Sequence, residues 1–131
     1  MNKRTESKEQ FLREALTIQL GTLATNLAKI NAYINDTENE SLIRHLIDES
    51  RFLIDWLVPS LGAFEQQYQL AHYQRQLTQW LYHWETTWAD PVQRGYIAAE
   101  TAHWSEQVWQ ISGLRDRVGT FAANAAQVAA S

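Results

Sequence analysis

The chain is predicted to fold as an all-α, up-down-up-down four-helix bundle with a short C-terminal fifth helix. Three observations lead there. Apolar residues recur at alternating spacings of four and three in four separate stretches, the signature of helices that bury one face. The stretches are joined by compact stop-and-start signals at Asn35-Asp36, Pro59 and Asp90-Pro91, and short connections set successive helices antiparallel. A length of 131 residues provides one core and falls short of two ordinary domains.

The first helix is predicted to begin near Ser7, whose hydroxyl can cap it while Gln10 reaches back as in a capping box. Leu16, Leu20, Leu23, Leu27, Ile30 and Ile34 then draw one apolar seam along it. Asn35-Asp36 closes this helix, and Thr37 with Glu40 forms a second capping box. The helix opened there should run to about Val58, because Pro59 has no amide to give to a helix interior.

A third helix is predicted from about Ser60 to Trp88, with Gly62 near its start and Leu70, Leu77, Leu81, Trp84 and Trp88 on one face. Asp90-Pro91 stops and restarts the chain, since Asp is a favoured N-cap and Pro a favoured first helical residue. The fourth helix carries Ile97, Thr101, Trp104, Val108 and Ile111 and should end at Gly113 in a left-handed cap. Beyond it Leu114, Val118, Phe121, Ala125 and Val128 keep the helical period across Gly119. One domain over 1–131 is expected, with 1–6 and about 119–131 as candidate flexible ends.

Composition excludes several functions. Cysteine is absent, which removes a disulfide framework, a thiol nucleophile and any cysteine-ligated metal. Met1-Asn2-Lys3-Arg4 leads into polar and charged residues where an export signal would need an apolar run, so a cytoplasmic protein is expected. The uncharged run Ala15 to Ala28 contains Thr17, Gln19, Thr22, Thr25 and Asn26, and falls short of the roughly twenty apolar residues of a membrane span. Net charge is −4, and the basic residues cluster only at Lys3/Arg4 and Arg115/Arg117, which argues against a nucleic-acid partner. Glutamines at 66, 67, 69, 74, 76 and 79 give the third helix an uncharged polar character that resists docking less than a charged surface would.

Five of the six tryptophans lie between Trp80 and Trp109, and Trp80, Trp84 and Trp88 recur every fourth residue. The stripe through Leu77 and Trp84 leaves Phe64, Tyr68, Arg75 and Tyr82 on the opposite side of the third helix. On the fourth helix Trp109 points away from Trp104 and shares its side with Ala98, Ala102 and Ser105. One core cannot easily cover both sets, so Tyr68, Arg75, Tyr82 and Trp109 form a candidate protein interface, with a homodimer as the simplest partner. The competing expectations are that the tail after Gly113 covers Trp109, or that a break near Gly62 turns Phe64 and Tyr68 inward.

A second constellation could hold zinc, iron or manganese. His45 and Glu49 on the second helix and Glu100 and His103 on the fourth lie at similar distances from their helix starts, and imidazole with carboxylate suits divalent first-row metals. Glu100-x-x-His103 matches half of the pattern of di-iron carboxylate bundles, whose second Glu-x-x-His has no counterpart here. Arg44-His45-Leu46 together with His103-x-x-x-Gln107 and Gln110-Ile111 resembles DinB-like bundles, which pair a histidine on the second helix with two on the fourth. Gln107 stands where the third histidine would be, and the resemblance covers only these residues. The plainer expectation is a His45–Glu49 helix pair with a solvated Glu100, and His72 and His83 have weaker claims as ligands.

No phosphate-cradling glycine loop, Gly-x-Ser-x-Gly turn or His-Glu-x-x-His run occurs. Asp48, Glu49 and Asp55 alternate with Arg44 and Arg51 as on a solvated, salt-bridged face. The expected function is therefore a non-catalytic interaction or assembly module without cofactor. A metal-dependent bundle protein, and a bundle that holds a tetrapyrrole or other flat ligand between its Trp-rich helices, are the alternatives.

Overall fold

The computed structural model describes residues 3–113, and every regular element among them is helical. Six α-helices follow in order: α1 (Lys3–Arg13), α2 (Leu16–Tyr33), α3 (Glu40–Leu57), α4 (Phe64–Tyr82), α5 (Trp84–Ala89) and α6 (Pro91–Ser112). Short 3-10 turns at Thr37–Asn39 and Val58–Ser60 lead into and out of α3. None of these helices is long and apolar enough to cross a membrane. The tail with the expected fifth helix, and its suggested fold over Trp109, lie outside the described residues.

Two of the expected long helices are broken. The first divides at Glu14-Ala15, and α1 already begins at Lys3, so Ser7 sits inside a helix rather than capping one. The apolar seam survives in α2, where Leu20, Leu23, Leu27 and Ile30 are buried with Ile34 just beyond. The third divides at His83, which turns Trp84 and Trp88 onto the separate helix α5. There the two indoles stack at 5.4 Å, and Trp84 Nε1 donates to Glu40 Oε1 at the start of α3, 3.2 Å away.

Caps explain the remaining boundaries. Asp36, rather than Thr37, starts the second segment: its carboxylate accepts from the Glu38 amide at 3.0 Å. Pro59 falls in a 3-10 turn, and α4 starts only at Phe64, after Gln67 Nε2 has donated to the Leu61 carbonyl at 2.9 Å. Asp90 accepts from the Val92 amide at 2.9 Å, Pro91 opens α6, and Gly113 closes it at φ 73°, where a side chain would be strained.

The core is formed mainly where α2 packs against α3 and α6, and α3 against α4. Side-chain contacts give directions for three pairs. Asn31 with Ala98 and Ser105 with Ala24 set α2 and α6 antiparallel. Arg51 with Thr78 and Asp55 with Gln74 do so for α3 and α4, and Gln69 with Gln107 and Tyr73 with Trp104 for α4 and α6.

Candidate interaction surface

Helix α4 has two apolar faces, as its sequence predicts. Leu70, Tyr73, Leu77 and Trp80 enter the core. On the other face Phe64, Tyr68 and Tyr82 are 77%, 68% and 83% exposed, and Arg75 is exposed among them. The reason is geometric: α3 and α6 take up the inner side of α4, and none of the described residues covers the outer one.

At 1.5 Å per residue, Tyr68, Arg75 and Tyr82 lie about 10.5 Å apart in a nearly straight row. Phe64 extends the row and stacks on Tyr68 at a ring distance of 6.4 Å. The break near Gly62 therefore does not turn Phe64 and Tyr68 inward. Tyr82 meets the edge of the His83 ring at 4.9 Å. Large side chains that stay exposed, with an Arg between them, have the composition of an interface core.

Trp109 does not join this row. It is half-buried and packs against the core from α6. Its separation from Trp104 on the helix is real, but the side it shares with Ser105 is the side that meets α2.

The four candidate metal ligands do not converge. His45 Nε2 and Glu49 Oε2 pair with each other at 3.3 Å on the outer side of α3. Glu100 lies instead within electrostatic reach of Tyr73 on α4, and His103 is exposed. Among the described residues no group of three or more His, Asp or Glu side chains could hold a metal. The principal neighbours of α3 are α1, α2 and α4, whereas α6 packs on α2, α4 and α5, so equal height on α3 and α6 does not bring their side chains together.

Around Glu100 a polar cluster spans α4 and α6. Gln69 Nε2 donates to Tyr73 Oη at 2.6 Å and lies 3.5 Å from Gln107 Oε1. Burial raises the Tyr73 phenol above its ordinary value of 10.0; the Gln69 hydrogen bond opposes this, and the Glu100 charge adds to it. Gln107, the residue in the place of a DinB-type histidine, thus serves helix packing.

The slot imagined for a flat ligand is filled by the protein's own rings. Trp104 stacks on Tyr73 at 4.6 Å and on Trp80 at 5.3 Å, with ring planes inclined by 17° and 14°. Tyr73 and Trp80 are one heptad apart on α4, about 10.5 Å along the axis, so the indole between them occupies the available length.

A groove of about 650 Å³, which the helix-by-helix spacing does not reveal, lies between α1 and α3 and is lined by Phe11, Phe52 and Trp56 together with Arg4, His45 and Glu49. The cue that was present is the pair Arg4 and Phe11, seven residues apart and therefore on one face of a helix. No protein-family model, curated protein or solved structure matches the chain.

Proposed function

We propose that the chain is a small protein-interaction or assembly module that self-associates through the outer face of α4. Its framework is read as an up-down-up-down four-helix bundle of α2, α3, α4 and α6, which the three antiparallel pairings support. The observation that carries the functional reading is the exposure of Phe64, Tyr68 and Tyr82 on one face of a helix whose other aromatics are buried. Burying such rings against a second copy removes apolar area from water at little conformational cost, because an aromatic side chain has few torsions to freeze. Trp109, already packed against the core, is left out of this surface.

Sedimentation velocity over a range of concentrations tests the proposal on wild type and on the Tyr68→Ala/Tyr82→Ala double variant. A concentration-dependent oligomer is expected for wild type, and loss of the α4-dependent association with unchanged helical content for the variant, since exposed substitutions usually move the stability of the single chain by less than about 0.5 kcal/mol. Equal mass and an equal set of bound proteins for the two would remove the assignment.

A further inference from the structure

Helix α1 is attached in an unusual way. It separates from α2 at Glu14 and Ala15, with Ala15 extended at φ −61° and ψ 148°. Neither residue breaks helices; Ala and Glu are among the best helix formers. The interruptions at Asp36, Pro59 and Asp90-Pro91 have a cap or a proline to explain them, and the one at His83 is held by the hydrogen bond from Trp84 to Glu40. At Glu14-Ala15 the local sequence favours one continuous helix, so contacts elsewhere must hold the bend.

Side-chain contacts at Phe11 and Arg4 and a hydrogen bond at the joint do this. Phe11 is the one buried residue of α1 and meets Trp56 at a ring distance of 5.8 Å. The Arg4 guanidinium lies 3.8 Å above the Phe52 ring and 3.5 Å from the Asp48 carboxylate. At the bend, Gln19 Nε2 donates to the Glu14 carbonyl at 3.0 Å, while the buried Gln19 Oε1 has no hydrogen-bond partner among the described residues. The other described residues of α1 are exposed, and its main neighbour is α3.

We propose that α1 is an exchangeable arm whose receptor is the face of α3, around Phe52 and Trp56, in a second copy of this chain. When the Glu14-Ala15 joint straightens, α1 continues the axis of α2 and leaves that face of its own α3 open. Phe11 and Arg4 of each copy then seat against Trp56, Phe52 and Asp48 of the other, and the two chains clasp reciprocally. The complementarity needed between copies is the one already present within a single chain: an aromatic ring for Phe11, and a ring with a carboxylate for Arg4. Because the exchanged contacts are the same, the joint and the protein concentration decide the balance between closed monomer and clasped dimer. This clasp uses no residue of the outer α4 face.

The absence of native cysteine makes a direct test possible in the full chain. Ser7 and His45 both line the groove, so Ser7→Cys protein is mixed with His45→Cys protein and treated with a short bis-maleimide. The expected result is a covalent heterodimer in several-fold excess over a control mixture of Ser7→Cys with Thr25→Cys, whose site on α2 is exposed and lies outside the groove. The excess should disappear when both proteins carry Ala15→Pro, because φ at Ala15 already suits proline and the ring bars a continuous helix. Circular dichroism checks that this variant keeps its helical content.

No excess over the control in the wild-type background overturns the exchange, whether or not the Ser7→Cys/His45→Cys double variant crosslinks within one chain. An excess that persists in folded Ala15→Pro protein overturns the role of the joint. Repeating the mixture in the Tyr68→Ala/Tyr82→Ala background separates the two interfaces: the clasp predicts a retained crosslink even where association through α4 is lost.

Discussion

Toward α2, helix α6 presents Ala98, Thr101 and Ser105; toward α4 it presents Trp104. On the α2 side the Ser105 hydroxyl, one bond beyond its Cβ, reaches the Ala24 carbonyl at 2.8 Å, and Asn31 reaches the Ala98 carbonyl at 2.8 Å. Side chains there touch the neighbouring backbone directly. On the α4 side three stacked rings stand between the helices, and contact runs ring to ring. The same helix therefore keeps two distances at once, each set by the size of the residues facing that neighbour. The lesson concerns volume: one seam has no room to gain atoms, and the other cannot spare them.

The aromatic side should break most severely. Trp104→Ala removes the ring that both Tyr73 and Trp80 stack on, and should lower unfolding free energy by about 3–5 kcal/mol in urea titrations. A loss below about 1 kcal/mol would mean that the rings fill space without setting the α4–α6 distance. The small-residue side should fail under the opposite change. Ala24→Leu inserts atoms at a fully buried site beside the Ser105 hydroxyl and should cost about 1–3 kcal/mol. A neutral result would show that α2 and α6 can part, and would collapse the distinction between the seams.

The smallest effect is a pH dependence confined to the aromatic side. The raised Tyr73 pKa means that the folded state holds the phenolic proton more tightly than the unfolded chain. Its contribution to stability is fully present below the ordinary value of 10.0 and is lost as pH rises from there through the higher folded value. Melting curves between neutral and strongly alkaline pH should thus fall less steeply for Tyr73→Phe than for wild type. Parallel curves would detach Tyr73 from the alkaline transition.

The helical class and the buried seam of α2 were readable because they rest on spacing alone, as were the Asp90-Pro91 start and the Gly113 stop, which rest on local backbone chemistry. The two-faced character of α4 was readable for the same reason, and Tyr68, Arg75 and Tyr82 lie outside as the spacing predicts. What was not readable depends on neighbours. Glu14-Ala15 and His83 carry no breaker, and the bends there follow from where Phe11 and Trp84 find partners. Helical spacing sets Trp109 apart from Trp104 on α6, but sequence does not say which helix that side meets. The metal constellation failed for a related reason, since equal height on α3 and α6 carries no information about which helices are neighbours.

The hydrogen bonds of the α2–α6 seam join residues 67 and 81 positions apart, whereas those between α3 and α4 join residues 19 to 27 apart. Closing the longer loops costs roughly 1 kcal/mol more in chain entropy, and it must be met before the seam returns any contact energy. The order of assembly follows: α2 with α3 and α3 with α4 can pair from nearby residues, while the α2–α6 seam waits for a helix at the far end of the described residues. Until α6 arrives, Ala24 and the adjoining face of α2 have no cover. The seam where side chains reach the neighbouring backbone directly is thus the last to close.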